Sequence, residues 1–277
     1  MSGAPHTEQC GVCGLELAYL EQGRLLTCSL CGRSEVGHVC CPEGHYLCES
    51  CHGAGMRDLL PRVLSASDSS SPRDLAEELL SRPELPMLGC EHALIAAGSL
   101  MTALKNRGDL GVTDRHVAEV LQRTERQAMS AYCGLTGVCG IVPALGACYS
   151  VLVGAQCGKG PQTQATMELV SRLAAATAEE AEPGCCKAFV RSCLAETEQF
   201  LEERLGICMA GPEVTLCCDT ERHPHGCRGS GCPYHPAHVS SEKETSRGLR
   251  SVHEPGTDVG ATPAFEACTL VEAAHGT

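Results

Sequence analysis

The first fifty residues contain cysteines in pairs with the spacing of metal ligands. Cys10 and Cys13 form one C-x2-C-G motif, and Cys28 and Cys31 form another. In such a motif a tight turn directs both sulfurs toward one ion, and glycine relieves strain where the backbone approaches the thiolates. Two motifs complete a tetrahedral site of four thiolates, which zinc most often occupies. We therefore predict one zinc ion bound by these four cysteines.

A second set of ligands follows directly. It consists of three cysteines and one histidine: Cys41, His45, Cys48 and Cys51. Three thiolates and an imidazole also make a closed tetrahedral zinc site, and Cys40 and His52 are spare ligands nearby. Because four protein ligands leave no open coordination position, both zinc ions are predicted to stabilise the fold rather than to catalyse a reaction.

The middle of the chain carries a different cysteine pattern. Cys133 and Cys139 are each followed by glycine, and a third glycine lies between them. No charged residue occurs over 141–155, so a buried helix is predicted to anchor this loop. The two sulfurs are candidate ligands for a cofactor, although cysteines in a glycine-rich turn also serve as small core residues.

Cys185 and Cys186 are candidate catalytic or ligating thiolates. They follow Pro183 and Gly184 at the predicted start of a long helix, and Lys187 comes next. The helix dipole and the lysine charge both favour a thiolate over a thiol. Adjacent helical residues point about 100° apart, so we expect only one of the two cysteines to join a given site.

The helix starts are predicted to bring these groups together at one end of a bundle. Cys90 and His92, from an earlier helix, would close the site. Soft thiolates bind zinc, copper(I) and iron–sulfur clusters, so an iron–sulfur cluster or sulfur-carrying thiols are the predicted chemistry. The predicted site residues are Cys90, His92, Cys133, Cys139, Cys185 and Cys186.

A third group of ligand residues lies toward the carboxyl end. Cys217, Cys227 and Cys232 are its predicted metal ligands, and several histidines lie among them. This segment has few apolar residues with which to fold otherwise.

Composition limits the function classes. The chain has 277 residues, 22 cysteines, a formal charge of −13, three Phe and no Trp. A negative surface with few aromatic residues argues against nucleic-acid binding. We expect no signal peptide, because residues 1–9 are polar, and therefore a reducing, cytoplasmic setting. The apolar stretch over 138–155 contains Pro143 and three glycines, so we expect a buried helix rather than a membrane span.

Helical periodicity and capping residues over 89–205 predict a mainly α fold, with one helix that stops at Gly108, one that begins at Thr113 and one that turns Met167 inward. A helical bundle would follow a small module of zinc-ribbon or treble-clef type. The predicted domains are a zinc-binding Cys-rich module over 1–56, a linker over 57–85, an all-helical Cys-rich domain over 86–210, a Cys/His-rich metal-binding segment over 211–238 and a disordered tail over 239–277.

The order of these motifs resembles that of a known family. The similar motifs are the two C-x2-C-G pairs, Gly44-His45-Tyr46-x-Cys48-x2-Cys51-His52, Pro86-Met87-x-Gly89-x-Glu91-His92, Cys133-Gly-x2-Gly-x-Cys139-Gly140, Gly184-Cys185-Cys186-Lys187 and Cys227-x4-Cys232-Pro233. Together they resemble the domain-of-unknown-function family numbered 5714, from anaerobic archaea and bacteria. The resemblance implies a fold and a shared site, but no reaction.

Two functions are therefore expected. The first is a metal-binding protein of anaerobic metabolism, with two structural zinc ions and a thiolate-rich site in the helical domain. The second is a non-catalytic zinc-binding adaptor or regulatory protein that meets an unknown protein partner. A thiol-based sensor lies between them. The patterns leave open both enzymatic activity and oligomeric state.

Overall fold

The structure is a computed structural model that describes residues 9–10, 12–52, 54–82, 85–158, 160–209, 223–224 and 226–235. Two strands and nine α-helices occur in these residues. They are β1 (Ala18–Thr27), β2 (Ser34–Cys40), α1 (Glu49–His52), α2 (Ala54–Ala66), α3 (Pro72–Leu80), α4 (Glu91–Arg107), α5 (Asp114–Gln127), α6 (Tyr132–Thr136), α7 (Ile141–Leu152), α8 (Gly160–Glu179) and α9 (Cys186–Leu205). The mainly α fold class with an N-terminal Cys-rich module is confirmed.

The N-terminal module is a hairpin followed by a short helix. Strands β1 and β2 pair antiparallel, with Ala18 opposite Cys40 at one end and Thr27 opposite Ser34 at the other. The turn between the strands contains Cys28 and Cys31. The two ends of the hairpin are roughly 20 Å apart, because each residue of a strand advances the chain by about 3.3 Å.

Helix α4 is the centre of the helical domain. Its side chains from Glu91 to Leu104 are buried on every face, and it packs against α2, α3, α5, α7 and α9. The helix ends at Gly108, whose φ of 76° is the left-handed conformation of a glycine C-cap. The sequence therefore predicted the end of this helix correctly. A helix that is buried on every face needs other elements packed all around it.

The predicted linker over 57–85 is part of the helical core. Met56, Leu60 and Leu64 of α2 lie in the same buried cluster as the side chains of α4. Helix α3 adds Leu79 and Leu80 to this cluster. The serine-rich composition indicated a flexible connection, but Ser71 instead caps α3 by accepting a hydrogen bond from the Asp74 N–H. The segment predicted as a linker therefore contributes side chains to the core.

Buried polar contacts hold α3 against α9. The Arg191 guanidinium binds both oxygens of the Glu77 carboxylate, at 2.5 and 2.8 Å. Lys187 Nζ donates a hydrogen bond to the Leu80 carbonyl at 2.8 Å. Both cations come from the first turns of α9, the helix that also carries Cys186, so α3 helps to position that helix start.

No helix in the described part of the chain is long and apolar enough to cross a membrane. The apolar stretch over 138–155 forms α7 within the core, as predicted, with Leu145 and Cys148 fully buried.

Candidate metal centres

Eight of the predicted ligands form two groups near the amino terminus. The ligand atoms of each group all lie within 4.8 Å of one another. The first quartet consists of Cys10, Cys13, Cys41 and His45, and the second quartet of Cys28, Cys31, Cys48 and Cys51. Each quartet has the geometry to hold one metal ion.

The eight ligands are divided between the two quartets differently from our prediction. We predicted that the two C-x2-C-G motifs would bind one ion together, but each belongs to a different quartet. The hairpin explains the difference. Strand β2 returns the chain to the start of β1 and so places Cys41 beside the Cys10 turn, whereas Cys28 lies at the opposite end. The Tyr46 carbonyl then accepts a hydrogen bond from the Ser29 N–H, which brings the following Cys48 to that second end.

The distances between sulfurs fit a tetrahedral ion. Sγ of Cys13 lies 3.4 Å from Sγ of Cys41, and Sγ of Cys31 lies 3.6 Å from Sγ of Cys48. Zinc–sulfur bonds of about 2.3 Å at the tetrahedral angle place two sulfurs about 3.8 Å apart. Both contacts join parts of the chain distant in sequence, so an ion at each quartet would hold the hairpin and α1 in place.

Three turns of similar form carry Cys10, Cys28 and Cys41. Gly14, Gly32 and Gly44 have φ angles of 75°, 72° and 86°, and each donates its N–H to the carbonyl of a ligand cysteine. The N–H of Val12 also donates to Cys10 Sγ at 3.4 Å. These left-handed turns require glycine and turn backbone donors toward the sulfurs.

The surroundings of two cysteines already favour the thiolate. At Cys10, burial opposes ionisation, but hydrogen bonds from the backbone at Cys13 and Val12 outweigh it and lower the pKa to about 7. At Cys28, hydrogen bonds from the backbone at Cys48 and Cys31 lower the pKa to about 6. Nδ1 of His45 is buried without a hydrogen-bond partner among the described residues, as expected for a nitrogen that binds a metal.

The helix starts of the helical domain bring four thiols into one neighbourhood. Cys90 precedes α4, Cys133 lies in α6, Cys139 precedes α7 and Cys186 begins α9. Burial raises the pKa of the Cys186 thiol, a hydrogen bond with the Gly89 backbone opposes this, and the charges of Cys139, Cys133 and Cys90 raise it further. Cys186 thus lies within electrostatic range of each of the other three cysteines. We call these four cysteines the thiol site.

The thiol site does not have the geometry to bind a single ion. Throughout the described residues, the two N-terminal quartets are the only groups in which three or more ligand atoms lie within 4.8 Å of one another. The prediction that Cys133, Cys139 and Cys185 or Cys186 lie within direct reach of one ion is therefore not met. Cys185 lies elsewhere, in a small cluster with Met87, Ala188 and Tyr234.

Burial keeps Cys90, Cys139 and Cys186 of the thiol site in the thiol form. Burial raises the pKa of Cys90 to about 12 and that of Cys139 to about 11. We expected the helix start to lower the pKa of the Cys186 thiol, but the effect of burial is larger and raises this pKa. These cysteines would lose their protons only to a cation that binds sulfur.

His92 presents a free ring nitrogen inside the helical domain. Its Nδ1 lies 3.1 Å from the Gly89 carbonyl, and Nε2 is buried with no hydrogen-bond partner among the described residues. Burial lowers the pKa of His92 to about 3, and the charges of Lys187 and Arg191 contribute to this, so the ring is neutral. Nδ1–H therefore donates to Gly89, and Nε2 keeps its lone pair. Histidines that bind metals are commonly oriented in this way.

Glu91 is a buried carboxylate whose role the sequence analysis missed. Its side chain is 0% exposed, and no other described residue donates a hydrogen bond to either oxygen. Burial raises the pKa of Glu91 and Glu49 adds to this, while His52 and Arg57 act in the opposite direction. Its place between Cys90 and His92, on the first turn of a mostly apolar helix, was the signal available in the sequence.

The predicted C-terminal metal segment is described only in part. Cys217 lies outside the described residues. Cys232 is buried, and Cys227 is half-buried with its sulfur accepting a hydrogen bond from the Gly229 N–H at 3.4 Å. Metal binding by this segment stays a prediction.

Comparison with known families gives one match. A family of unknown function, DUF5714, matches residues 60–235, which is more than half of the chain. The chain belongs to the DUF5714 family. The match begins within α2 and includes the thiol site, whereas both N-terminal quartets precede it. No curated protein and no solved structure matches the chain significantly.

Proposed function

We propose that this DUF5714 protein binds two structural zinc ions in its N-terminal module and an iron–sulfur cluster, or sulfur carried on thiols, at the thiol site. The zinc assignment is supported by the ligand types. One quartet offers four thiolates and the other three thiolates and an imidazole, the usual sets for structural zinc. Because both quartets are closed, the ions would hold the module together and leave reactivity to the helical domain.

The observation that carries the proposal for the helical domain is the meeting of four cysteines at four helix starts. Their sulfurs share one electrostatic neighbourhood but are too widely spaced for one ion. Cluster thiolates bind different iron atoms and therefore need not lie within reach of a single ion. Positive iron would also offset the cost of ionising buried thiols. His92 Nε2 is the additional ligand, and Cys186 is the candidate thiol in a sulfur-carrying role.

The high cysteine content suits a reducing, cytoplasmic and anaerobic setting, where clusters and thiols persist. We therefore propose that the protein works in such a setting and binds neither nucleic acid nor a membrane.

A zinc-binding adaptor is the second candidate function. Leu25 and Val36 are opposite each other on the hairpin, and they are 73% and 65% exposed. An exposed apolar pair on a small rigid module is typical of a surface that meets a partner protein. The adaptor would need the two zinc ions but no metal in the helical domain.

Metal analysis after anaerobic reconstitution with iron and sulfide tests the proposal. The full chain should contain about two zinc ions together with iron and labile sulfide, and a brown colour. Cys186→Ser and Cys139→Ser should lose the iron and sulfide but keep the zinc. Cys157→Ser, which replaces an exposed cysteine outside the thiol site, is the matched control and should keep all three. If the wild type contains no more iron and sulfide than Cys186→Ser, the zinc-binding adaptor remains as the function.

A further inference from the structure

We propose that Arg57 is a positioning residue that joins the second quartet to the thiol site. The importance of the thiol site rests on the proposed function, whereas the joint itself rests on contacts in the structure. Arg57 lies on α2, and its Nη2 is 3.0 Å from Glu49 Oε1 and 3.5 Å from Glu91 Oε1. Its Nη1 is 3.8 Å from Glu125 Oε1. One guanidinium therefore contacts α1, α4 and α5.

On the module side, Arg57 contacts a residue fixed by the second quartet. Glu49 lies between the ligands Cys48 and Cys51 and begins α1. The Glu49 N–H donates to Glu35 Oε1 at 3.3 Å, and the same oxygen accepts the Tyr46 hydroxyl at 2.8 Å. A metal ion in the second quartet would therefore set the position of the Glu49 carboxylate.

On the domain side, Arg57 contacts the buried carboxylate of Glu91, which directly follows Cys90. The Glu91 carboxylate lies close to this glycine, because a Cβ at Gly89 would be only 2.3 Å from Glu91 Oε2. Gly89 has a φ of 154°, a conformation that favours glycine. The carboxylate is thus packed against the Gly89 backbone.

The Gly89 backbone connects this carboxylate to the thiol site. Its carbonyl accepts the His92 Nδ1–H, and its backbone also forms a hydrogen bond with Cys186. Contacts therefore run without interruption from the second quartet through Arg57, Glu91 and Gly89 to Cys186.

A separate contact joins the module to the Cys133 side of the thiol site. The His38 ring of β2 lies edge-on to the Tyr132 ring of α6, with centroids 6.4 Å apart. Tyr132 directly precedes Cys133. The module thus contacts residues beside the thiol site at two places.

Loss of Arg57 should open the thiol site locally. The Glu91 charge would then be buried without its guanidinium partner, which is a strongly destabilising arrangement. The start of α4 would relieve this by moving toward solvent, and Cys90 and Cys186 would become accessible. Deeply packed cysteines should be unaffected, because local opening leaves the remaining core intact.

Cysteine alkylation by iodoacetamide, resolved for each residue by mass spectrometry, tests this inference on the full chain loaded with zinc and free of iron. Arg57→Gln should raise the alkylation rates of Cys90 and Cys186 by about tenfold or more. Arg62→Gln is the matched control, because Arg62 is exposed on the same helix, and its rates should stay within about twofold of wild type. Unchanged rates in Arg57→Gln would overturn the proposal.

Cys148 and Cys193 distinguish local opening from unfolding, because both are fully buried in the core. They should stay protected in Arg57→Gln. If Cys148 and Cys193 also react in Arg57→Gln, the double variant Arg57→Gln/Glu91→Gln separates local opening from unfolding. It removes the unpaired charge and should restore the protection of Cys148 and Cys193. Renewed protection at Cys90 and Cys186 in the double variant supports the joint, because it traces the opening to the unpaired Glu91 charge, and continued reaction there refutes it. The assay uses no iron, so its result is independent of whether a cluster binds.

Discussion

Replacing Cys48 with serine should remove the metal ion of the second quartet and unfold the N-terminal module. Within residues 9–52, the fully buried apolar side chains that the structure describes are all cysteines: Cys10, Cys28, Cys40, Cys41 and Cys48. The module therefore has no apolar core to replace its metal ions. In such small units metal binding supplies about 10 kcal/mol or more of folding free energy.

Zinc content and the amide NMR spectrum of the full chain would show this loss. Cys48→Ser should bind at least one zinc ion fewer, and the amide resonances of β1, β2 and α1 should collapse to unfolded positions. Cys40→Ser is the matched control, because Cys40 is also buried but belongs to neither quartet. It should retain both ions. A folded module in Cys48→Ser with full zinc content would contradict the assignment of the second quartet.

Replacing Arg191 with methionine should have the second largest effect. Glu77 would then be left buried without its bidentate partner, which costs about 3–5 kcal/mol of unfolding free energy. The ring of Tyr234, which lies 5.2 Å from the Arg191 guanidinium carbon, would also lose its contact with the cation. Urea unfolding followed by circular dichroism measures the change.

Two further variants show whether the buried pair causes this loss. Arg191→Met/Glu77→Leu removes both charges and should recover to within about 2 kcal/mol of wild type. Arg82→Met breaks an exposed pair with Glu78 and should cost less than about 1 kcal/mol. If Arg191→Met lowers the unfolding free energy no more than Arg82→Met does, α3 is not part of the cooperative core. The prediction that residues 57–85 are a linker would then stand.

The parts of the fold that the sequence predicted depend on local signals. Gly108 stops α4 because a left-handed C-cap needs glycine, and Thr113 begins α5 because its hydroxyl and the His116 ring cap the first turn. The eight N-terminal ligands were identified because a tight turn fixes the spacing of each pair. Such signals act within a few residues and can be read without the tertiary structure.

The parts that the sequence did not predict depend on contacts between distant residues. The division of ligands between the two quartets follows from the pairing of β1 with β2, which no local motif specifies. Met167 was expected to face the core but is exposed, while Leu169 is buried, because the register of α8 is set by its neighbours. The role of Glu91 depends on Arg57, which lies 34 residues earlier in the chain.

The division of the eight ligands between two metal centres is the central claim, and ¹¹³Cd NMR tests it most directly. In the protein with both zinc ions exchanged for ¹¹³Cd, the Cβ protons of each cysteine ligand couple to the ion that its sulfur binds. One cadmium resonance should correlate with Cys10, Cys13 and Cys41, and the other with Cys28, Cys31, Cys48 and Cys51. Correlation of Cys10, Cys13, Cys28 and Cys31 with a single cadmium would contradict the structure.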